Sequence, residues 1–465
     1  MPTQLAQLSA KIIMAFCNNM KFSNSFKAGK LTASGLTFVI LTGCVSTSWL
    51  ARQIVHPNRQ STVDAFSRTL AAPFYSRNFS LSVPSPDAGT IDAAIIEPAH
   101  YDPEIRVSYK KIHSNVLFNI NFPKLPVPPN TLGFKRMAKR HPVKTYAWRL
   151  RKWLATMKPE KPVGTIVMLP PFGMGKASLL SWALLFADRG WRVVLVDLRG
   201  QGVSHSPYLT WGIRDREDLH RLAVLLKARH ILIRPWIYFG VSYGAGVALM
   251  AAVRNPAPNG VIAVAPWATA SKVIPRFAHS AASWLAPRIA SPKWQIAEKK
   301  AGHLAGINFH EARPKNAVTF IHVPVLYLGG GADHVTPAKS IRAMARKTPE
   351  ATVVIKPGLT HVVVVADVPG FCGSIFRWLN ARIFERPLFR KCLVEQKDKN
   401  GRIEARYIAP NQPHKPLAVD FQVLRRSLRG NSRTQVFQAN AASMTYLDLL
   451  ICSDKGGKGQ VCEGG

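Results

Sequence analysis

The chain has 465 residues, of which 47% are hydrophobic, enough for one large or two ordinary domains with a substantial core. Its 62 lysines and arginines exceed its 25 acidic residues, and the formal net charge of +37 predicts a strongly positive surface with anionic partners. No zinc-finger, basic-zipper or RNA-recognition signature accompanies this charge, so nucleic acid is not the expected partner. An anionic membrane surface is favoured instead.

The N-terminal segment has the layout of an export signal. Lysines precede an apolar run over residues 31–41, which is too short for a confident membrane span. The run ends in Leu-Thr-Gly-Cys, which resembles the lipobox of bacterial lipoproteins. That resemblance implies that residues 1–43 are a signal peptide and that Cys44 is lipidated. Because Val45 follows the cysteine rather than Asp, it also implies the outer membrane of a bacterial cell envelope, facing the periplasm.

Two alternatives for this segment stay open. An uncleaved apolar helix would also anchor the chain, and Met20 begins a more typical signal layout than Met1. Cleavage after residue 43 removes four lysines and no acidic residues, so the positive charge belongs to the mature chain.

A loop joining Cys452 to Cys462 is feasible in an oxidising periplasm, but no metal-ligand spacing is present and no metal is expected.

The remaining chain divides into three regions. Residues 44–90 are predicted to form a polar, Ser-rich linker, residues 91–386 the main folded domain, and residues 387–465 a basic, irregular tail. A basic segment from Lys135 to Lys152, with Trp148 inside it and Trp153 directly after it, fits either a lipid-facing surface or an exposed helix with solvated charges.

Alternating strand and helix patterns from residue 164 onward predict a parallel sheet covered by helices. Three earlier stretches, residues 93–96, 105–109 and 116–120, are expected to form the antiparallel edge of the same sheet. An insertion over residues 266–324 is expected to be a short helical cap. Its aromatic residues suit an apolar substrate pocket or, alternatively, simple packing. The predicted strands span residues 165–169, 191–196, 236–241, 261–265, 325–328 and 352–355, and the predicted helices span residues 177–189, 215–229 and 369–384.

Ser242 is the best nucleophile candidate in the chain. It lies in Gly-Val-Ser-Tyr-Gly, between an apolar strand and a run of small residues that begins a helix. A serine hydroxyl becomes nucleophilic only on an exposed turn beside a base and near oxyanion donors. Gly240 and Gly244 suit such a turn because side chains there would crowd the backbone. The alternative interpretation is a glycine-rich turn without chemistry.

The order Ser242, Asp333, His361, each following a strand, resembles the α/β-hydrolases, in the branch of lysophospholipases, monoglyceride lipases and serine aminopeptidases. The resemblance spans residues 93–385 in layout. It is carried by the Ser242 motif and by the sequences Asp-Leu-Arg-Gly-Gln-Gly-Val-Ser at 197–204, Gly-Ala-Asp-His-Val-Thr-Pro at 331–337 and Gly-Leu-Thr-His at 358–361.

The resemblance implies a role for each of these residues. His361 would act as general base and then general acid on Ser242, and Asp333 would hold the imidazole tautomer. A turn or cap residue is the alternative for Asp333. For the histidine the rivals are His205, His322 and His334, and the family resemblance makes Asp197 and Arg199 structural.

The oxyanion hole requires two backbone N–H groups. Tyr243 is expected to supply one. Relatives carry His-Gly and an apolar residue after the first parallel strand, whereas this chain has Pro170 and Pro171, which have no N–H, followed by Phe172. Phe172 is therefore the second expected donor, and a redirected loop would weaken or abolish activity.

We therefore expect a serine hydrolase without a cofactor that cleaves carboxylic esters, with lipid or acyl-glycerol esters as the favoured class. An aminopeptidase or thioesterase on the same fold stays open, because the three residues fix acyl chemistry but not the acyl group. A peptidase needs acidic groups for the free amine, and the cap offers only Glu298 and Glu311. The alternative from a different functional class is a non-catalytic, membrane-anchored basic protein that binds anionic envelope components.

Overall fold

The computed structural model describes most of the predicted domain and short flanking pieces. The described residues are 45–56, 68–83, 89–109, 116–122, 142–281, 286–384, 393–397, 403–407 and 449–451. All of them except Val45 belong to one compact unit, Ser46–Gly465. The predicted signal peptide, Cys44, the Cys452–Cys462 loop and residues 135–141 of the basic segment lie outside the described residues. None of the described helices is both long and apolar enough to cross a bilayer.

The described strands form two sheets. In chain order they are β1 (Arg77–Val83), β2 (Gly89–Ile96), β3 (Glu104–Tyr109), β4 (Val116–Asn121), β5 (Gly164–Leu169), β6 (Trp191–Asp197), β7 (Trp236–Val241), β8 (Gly260–Val264), β9 (Val325–Gly330), β10 (Ala351–Lys356), β11 (Leu393–Lys397), β12 (Ile403–Tyr407) and β13 (Leu449–Ile451).

The main sheet has eight strands in the order β1-β2-β6-β5-β7-β8-β9-β10. β1 and β2 are antiparallel, and so are β2 and β6, whereas the six strands from β6 to β10 run parallel. β5, β7, β8 and β9 are buried at every residue, as continuous apolar strands in a covered parallel sheet should be.

The helices connect these strands. They are α1 (Thr47–Val55), α2 (Pro142–Leu154), α3 (Leu180–Ala187), α4 (Asp215–Ala228), α5 (Tyr243–Ala251), α6 (Ala270–Ala281), α7 (Ser291–Ala305), α8 (Pro314–Ala317), α9 (Ala338–Ala345), α10 (His361–Ala366) and α11 (Val368–Arg382).

Two neighbouring residues of β7 show that helices cover both faces of the sheet, because successive side chains of a strand point to opposite faces. The Phe239 ring packs against Trp182 and Phe186 of α3, with ring centroids 5.0 and 5.4 Å away. The Tyr238 hydroxyl instead reaches the carbonyl of Leu219 in α4, on the other face. The predicted architecture, a mostly parallel sheet between helices, is confirmed.

The prediction for residues 105–109 and 116–120 was wrong, because these residues do not extend the main sheet. β3 and β4 belong to a second, antiparallel sheet in the order β11-β12-β3-β4-β13. Their pattern predicts strands correctly, but a strand's partner depends on distant segments, and here β12 and β11 come from the expected irregular tail. That tail therefore contributes ordered strands.

Residues 44–90 are more than a linker. They contain α1 and also β1, which forms the edge of the main sheet. β1 is exposed at Asn78, Ser80 and Ser82 and half-buried at Phe79 and Leu81, the alternation expected of a strand with one covered face. Two of the serines that suggest a polar linker, Ser80 and Ser82, are outward-facing residues of this strand.

The insertion between β8 and β9 is helical, with α6, α7 and α8 joined by short 3₁₀ turns. α7 begins with Pro292 in its first turn and ends at Gly306, whose left-handed backbone (φ +60°) terminates the helix. The predicted cap over residues 266–324 thus corresponds to a helical segment that follows the carboxyl end of β8.

Candidate active site

Ser242 lies on a strained turn between β7 and α5. Its backbone has φ 51° and ψ −107°, which is uncommon for a residue with a side chain. The flanking glycines are required sterically. A Cβ atom on Gly240 would lie 2.3 Å from the carbonyl oxygen of Gly244, and one on Gly244 would lie 2.2 Å from that of Leu169. The turn holds the serine side chain at the carboxyl end of β7.

His361 meets Ser242 across the sheet edge. The Ser242 Oγ lies 2.9 Å from His361 Nε2, although the two residues are 119 positions apart in sequence. His361 is the first residue of α10 and follows a loop after β10. Each of the two residues is 8% exposed, so the pair is shielded while keeping access from solvent.

Asp333 completes the chain of hydrogen bonds. Its Oδ2 lies 2.8 Å from His361 Nδ1 and also accepts the Thr336 hydroxyl at 2.7 Å. Its Oδ1 accepts the backbone N–H groups of Val335 and Thr336 at 2.8 and 2.7 Å. The contacts of Asp333 are compatible with both the turn interpretation and the triad interpretation, because each uses a different carboxylate oxygen. The catalytic role of Asp333 stays a prediction.

The charge state of Asp333 follows from these partners. Burial by itself raises the pKa of the carboxyl group. The charge of His361 and the hydrogen bonds from His361 and Thr336 outweigh that effect, and the pKa lies below its ordinary value. Asp333 is therefore ionised at neutral pH and able to stabilise an imidazolium.

The rival residues are placed elsewhere. His205, His322 and His334 are exposed, and His205 contacts the Thr90 hydroxyl at 3.0 Å. Asp197 accepts the backbone N–H of Lys176 at 2.5 Å and the Lys176 ammonium at 2.6 Å, in a buried ion pair. The guanidinium of Arg199 forms a buried, two-pronged pair with Asp218. Both contacts are structural.

The proline pair does not detach the neighbouring loop from the nucleophile turn. The Pro170 carbonyl accepts the Gly244 N–H at 3.0 Å, and the Pro171 carbonyl accepts the Met174 N–H at 3.3 Å across a turn whose Gly173 has φ +71°. The prolines thus contribute carbonyls, for which no N–H is needed.

Phe172 and Tyr243, the expected oxyanion donors, lie together in this arrangement. Their rings are 6.1 Å apart, and neither backbone N–H has an acceptor among the described residues. Their assignment as oxyanion donors stays a prediction.

An aromatic cluster beside the nucleophile turn was only partly foreseen. Of the cap aromatics, Phe277 packs on Phe172 at 5.2 Å, and the Trp267 indole N–H donates to the Tyr243 carbonyl at 3.0 Å. Sequence reasoning missed Trp211 altogether, which packs on Phe172 and Tyr243. The signal that could have found it was Trp-Gly at 211–212, immediately before a helix with acids in its first turn.

Sequence reasoning also missed Asp215, a fully buried carboxylate that accepts the Thr210 hydroxyl at 2.6 Å and lies 3.4 Å from the Tyr243 hydroxyl. Burial raises the pKa of this carboxyl above its ordinary value, although the hydrogen bonds from Thr210 and Gly212 oppose the shift.

Comparison with known proteins agrees with this architecture. Residues 160–311, about a third of the chain, match the family described as serine aminopeptidase, S33. The uncharacterized protein YqkD of Bacillus subtilis is 26% identical over 207 residues, which cover 43% of this chain and 66% of that protein, just under two thirds of its length.

Solved structures with similar chain traces include two esterases. The Pyrococcus furiosus esterase Pf2001 is 13% identical with a TM-score of 0.45, covering 71% of this chain and 98% of that one. A Thermogutta terrifontis esterase is 15% identical with a TM-score of 0.40, covering 66% and 99%. From its sheet order, its nucleophile turn and its family match, the chain has the α/β-hydrolase fold and is similar over residues 160–311 to the serine aminopeptidase family S33.

Proposed function

We propose that the protein is a serine hydrolase that cleaves carboxylic esters through an acyl-enzyme on Ser242. The observation that carries this proposal is the continuous hydrogen-bonded chain from Ser242 Oγ through His361 to Asp333, with distances of 2.9 and 2.8 Å. Nucleophile, base and orienting acid within hydrogen-bond reach of one another are the arrangement that acyl transfer requires.

The chemistry follows from this geometry. His361 Nε2 takes the Ser242 proton as Oγ forms a bond to the ester carbonyl carbon, and the carbonyl oxygen becomes negative. In this proposal the N–H groups of Phe172 and Tyr243 donate to that oxygen. The C–O bond to the alcohol then breaks, and His361 returns the proton to the leaving alcohol. Water repeats the sequence on the acyl-enzyme and releases the carboxylic acid.

Half-buried aromatic rings favour an apolar substrate. Phe172 and Phe277 are partly exposed and pack edge to face beside the turn of Ser242, where they offer an apolar surface to an acyl or alcohol chain. Lipid or acyl-glycerol esters are therefore the proposed substrate class.

The family match favours a second candidate, an aminopeptidase. Such an enzyme needs a free carboxylate for the substrate amine. Of the two cap acids, Glu298 accepts the Ser271 hydroxyl at 2.6 Å, and Glu311 lies 3.9 Å from Arg216 with half of its side chain exposed. Since both have partners within the protein, an ester substrate is preferred.

We also propose that the mature chain is held at the membrane through lipidated Cys44, in the bacterial envelope at the periplasmic face of the outer membrane. The support is the lipobox-like sequence and the net charge, which is +37 for the full chain and loses only four lysines on cleavage, and which suits an anionic lipid surface. Treating cells with a labelled fatty acid and comparing wild type with Cys44→Ala tests the anchor, because only the wild type should incorporate label.

The test of the hydrolase compares wild type with Ser242→Ala on p-nitrophenyl esters of graded chain length and on aminoacyl p-nitroanilides. We expect ester hydrolysis that falls by at least about 10³-fold in the variant, because the nucleophile is lost. A fluorophosphonate probe should label the wild type alone. Equal rates in the two proteins would defeat the assignment of Ser242.

Two further outcomes discriminate the alternatives. Faster anilide than ester hydrolysis supports the aminopeptidase. A folded wild type that neither turns over substrate nor takes the probe supports a non-catalytic basic protein, with the Pro170-Pro171 loop as the first feature to examine.

A further inference from the structure

Trp211 connects the N-terminal helix to the residue that follows the nucleophile. Its indole N–H donates to the carbonyl of Ile54, in the last turn of α1, at 3.1 Å. Its backbone N–H donates to the Tyr243 hydroxyl at 3.0 Å. Trp211 therefore forms hydrogen bonds both to α1 and to an expected oxyanion donor. Trp211 and Ile54 are 157 positions apart in the sequence.

The backbone of Trp211 is held in an unusual conformation. Its φ is +50°, in the left-handed region that bulky residues rarely adopt. Such a conformation persists only where the surroundings fix it, and strained residues concentrate at functional sites. The side chain is 4% exposed, so its contacts are made inside the protein.

The Trp211 ring also touches both expected oxyanion donors. Its centroid lies 5.6 Å from that of Phe172 and 5.3 Å from that of Tyr243. Trp267 lies behind it at 5.4 Å and Phe309 at 6.3 Å. A shift of the indole would therefore move the two residues whose backbone N–H groups must stay aimed at one point.

The Tyr243 side chain is fixed by a second contact. Its hydroxyl lies 3.4 Å from Asp215 Oδ2, which also accepts the Thr210 hydroxyl and the Gly212 N–H at 2.6 and 2.9 Å. Thr210 and Gly212 flank Trp211 in the chain. The loop that carries the tryptophan and the residue after the nucleophile thus share one buried carboxylate.

α1 is itself held in place by tertiary contacts. It packs on α7 of the cap, and its residues Leu50, Ala51, Ile54 and Val55 are buried. The Lys300 ammonium of α7 donates to the hydroxyls of Thr47 and Ser48 at 2.8 and 3.0 Å. The Val55 carbonyl accepts the N–H of Leu209, two residues before Trp211, at 2.8 Å. The end of α1 is thereby joined to the Trp211 loop twice.

We propose that α1 keeps the oxyanion hole in its competent geometry through Trp211, which acts as a positioning residue. The inference rests on the proposed function of Ser242. It makes the helix that directly follows the predicted anchor part of the catalytic framework, so displacement of α1 lowers the rate of acyl transfer without touching the triad.

The first test is Trp211→Phe, which keeps an aromatic ring but removes the hydrogen bond to Ile54. We expect kcat for the best p-nitrophenyl ester to fall by about tenfold, less than the loss of an oxyanion donor, with KM within about twofold of wild type. Trp191→Phe is the matched control. Trp191 is also buried, but it lies at the amino end of β6, whereas Ser242 follows the carboxyl end of a parallel strand. Its indole N–H has no partner among the described residues. It should lower the melting temperature and leave kcat unchanged.

The second test acts from a distance. Leu50→Ala truncates a buried side chain of α1 outside the site and so loosens the packing of this helix, and we expect the same selective fall in kcat. Because both changes act through one connection, the double variant should be little slower than the slower single variant.

The outcomes separate the two proposals. The positioning role is overturned if Trp211→Phe keeps the wild-type kcat, or if the effects of Trp211→Phe and Leu50→Ala multiply in the double variant. In either case Ser242→Ala would still abolish activity, so the proposed function would stand. If Ser242→Ala is as active as wild type, the hydrolase proposal fails first and the inference falls with it.

Discussion

Asp333 combines a local and a long-range function on one carboxylate. Oδ1 caps the turn formed by Val335 and Thr336, while Oδ2 faces His361. Because the turn aims the carboxylate, the geometry of the triad depends on a motif only four residues long. Thr336 contacts both Asp333 and, at 3.3 Å, His361 Nδ1, and so supports the same alignment.

The variant Asp333→Asn separates these functions. Its amide oxygen can still cap the turn, but the neutral side chain no longer stabilises the imidazolium or the required tautomer. We expect kcat to fall by roughly 10²–10⁴-fold with the fold retained. Steady-state kinetics and thermal melting at pH 7 measure the two effects, and an active variant would contradict the proposed role of Asp333.

Measuring the stability of wild type and Asp333→Asn over a pH series tests the charge state of Asp333. The pKa of Asp333 is lowered in the folded state, so its ionised form stabilises the fold above the unfolded pKa of about 3.9. That stabilisation is lost as the pH falls through the lower folded-state value. The stability difference between wild type and variant should therefore shrink as the pH falls below about 4.

The turn between β7 and α5, which carries Ser242, packs closely against the backbone at the end of β5. Gly244 lies against the end of β5, where a Cβ atom would be 2.2 Å from the Leu169 carbonyl oxygen and 2.8 Å from the Leu169 Cβ. β5, the proline loop and α5 are thereby packed at a distance that only glycine allows. The serine motif is as much a packing requirement as a chemical one.

Gly244→Ala should therefore destabilise the protein by about 1–3 kcal/mol or more and abolish ester hydrolysis. Gly373→Ala is the matched control, since this glycine lies within α11 and an added Cβ atom would have no neighbour within 4 Å among the described residues. The control should be neutral or stabilising by about 0.5–1 kcal/mol. Denaturant unfolding of both variants measures the two free energies of unfolding. Equal stability of Gly244→Ala and Gly373→Ala would refute the packing argument.

The whole molecule carries far more positive charge than its fold requires. Buried pairs such as Asp197 with Lys176 and Asp218 with Arg199 remove one acid and one base each, so the excess of basic residues in the sequence remains. Burial raises the pKa of Asp218 to about 6, although the Arg199 guanidinium opposes the shift. We therefore expect the protein to be attracted to anionic lipid over distances set by the ionic strength.

Binding of the unlipidated chain to vesicles tests this attraction. We expect binding to vesicles rich in phosphatidylglycerol at about 50 mM salt, and release at about 500 mM, because the Debye length shortens. Vesicles of phosphatidylcholine alone should not bind. Binding that is insensitive to salt would argue for an apolar contact and against the electrostatic interpretation.

The local sequence determined much of the fold and the residues of the candidate site. Continuous apolar runs specify the buried parallel strands, and glycines around Ser242 specify its turn, since both depend on near neighbours in the chain. The positions of Ser242, Asp333 and His361 after predicted strands, together with the resemblance to the α/β-hydrolases, predicted that all three lie at the carboxyl ends of strands. The structure brings them within hydrogen-bonding distance.

Only the tertiary structure decided which distant segments meet. The alternation in β3 and β4 predicts strands, yet several partners would satisfy the same pattern, and pairing with β12 became evident only in three dimensions. In the same way, nothing near Trp211 indicates Ile54 as its acceptor. Backbone conformation is fixed by neighbouring residues, whereas pairing and burial are fixed by the competition among all segments for one core.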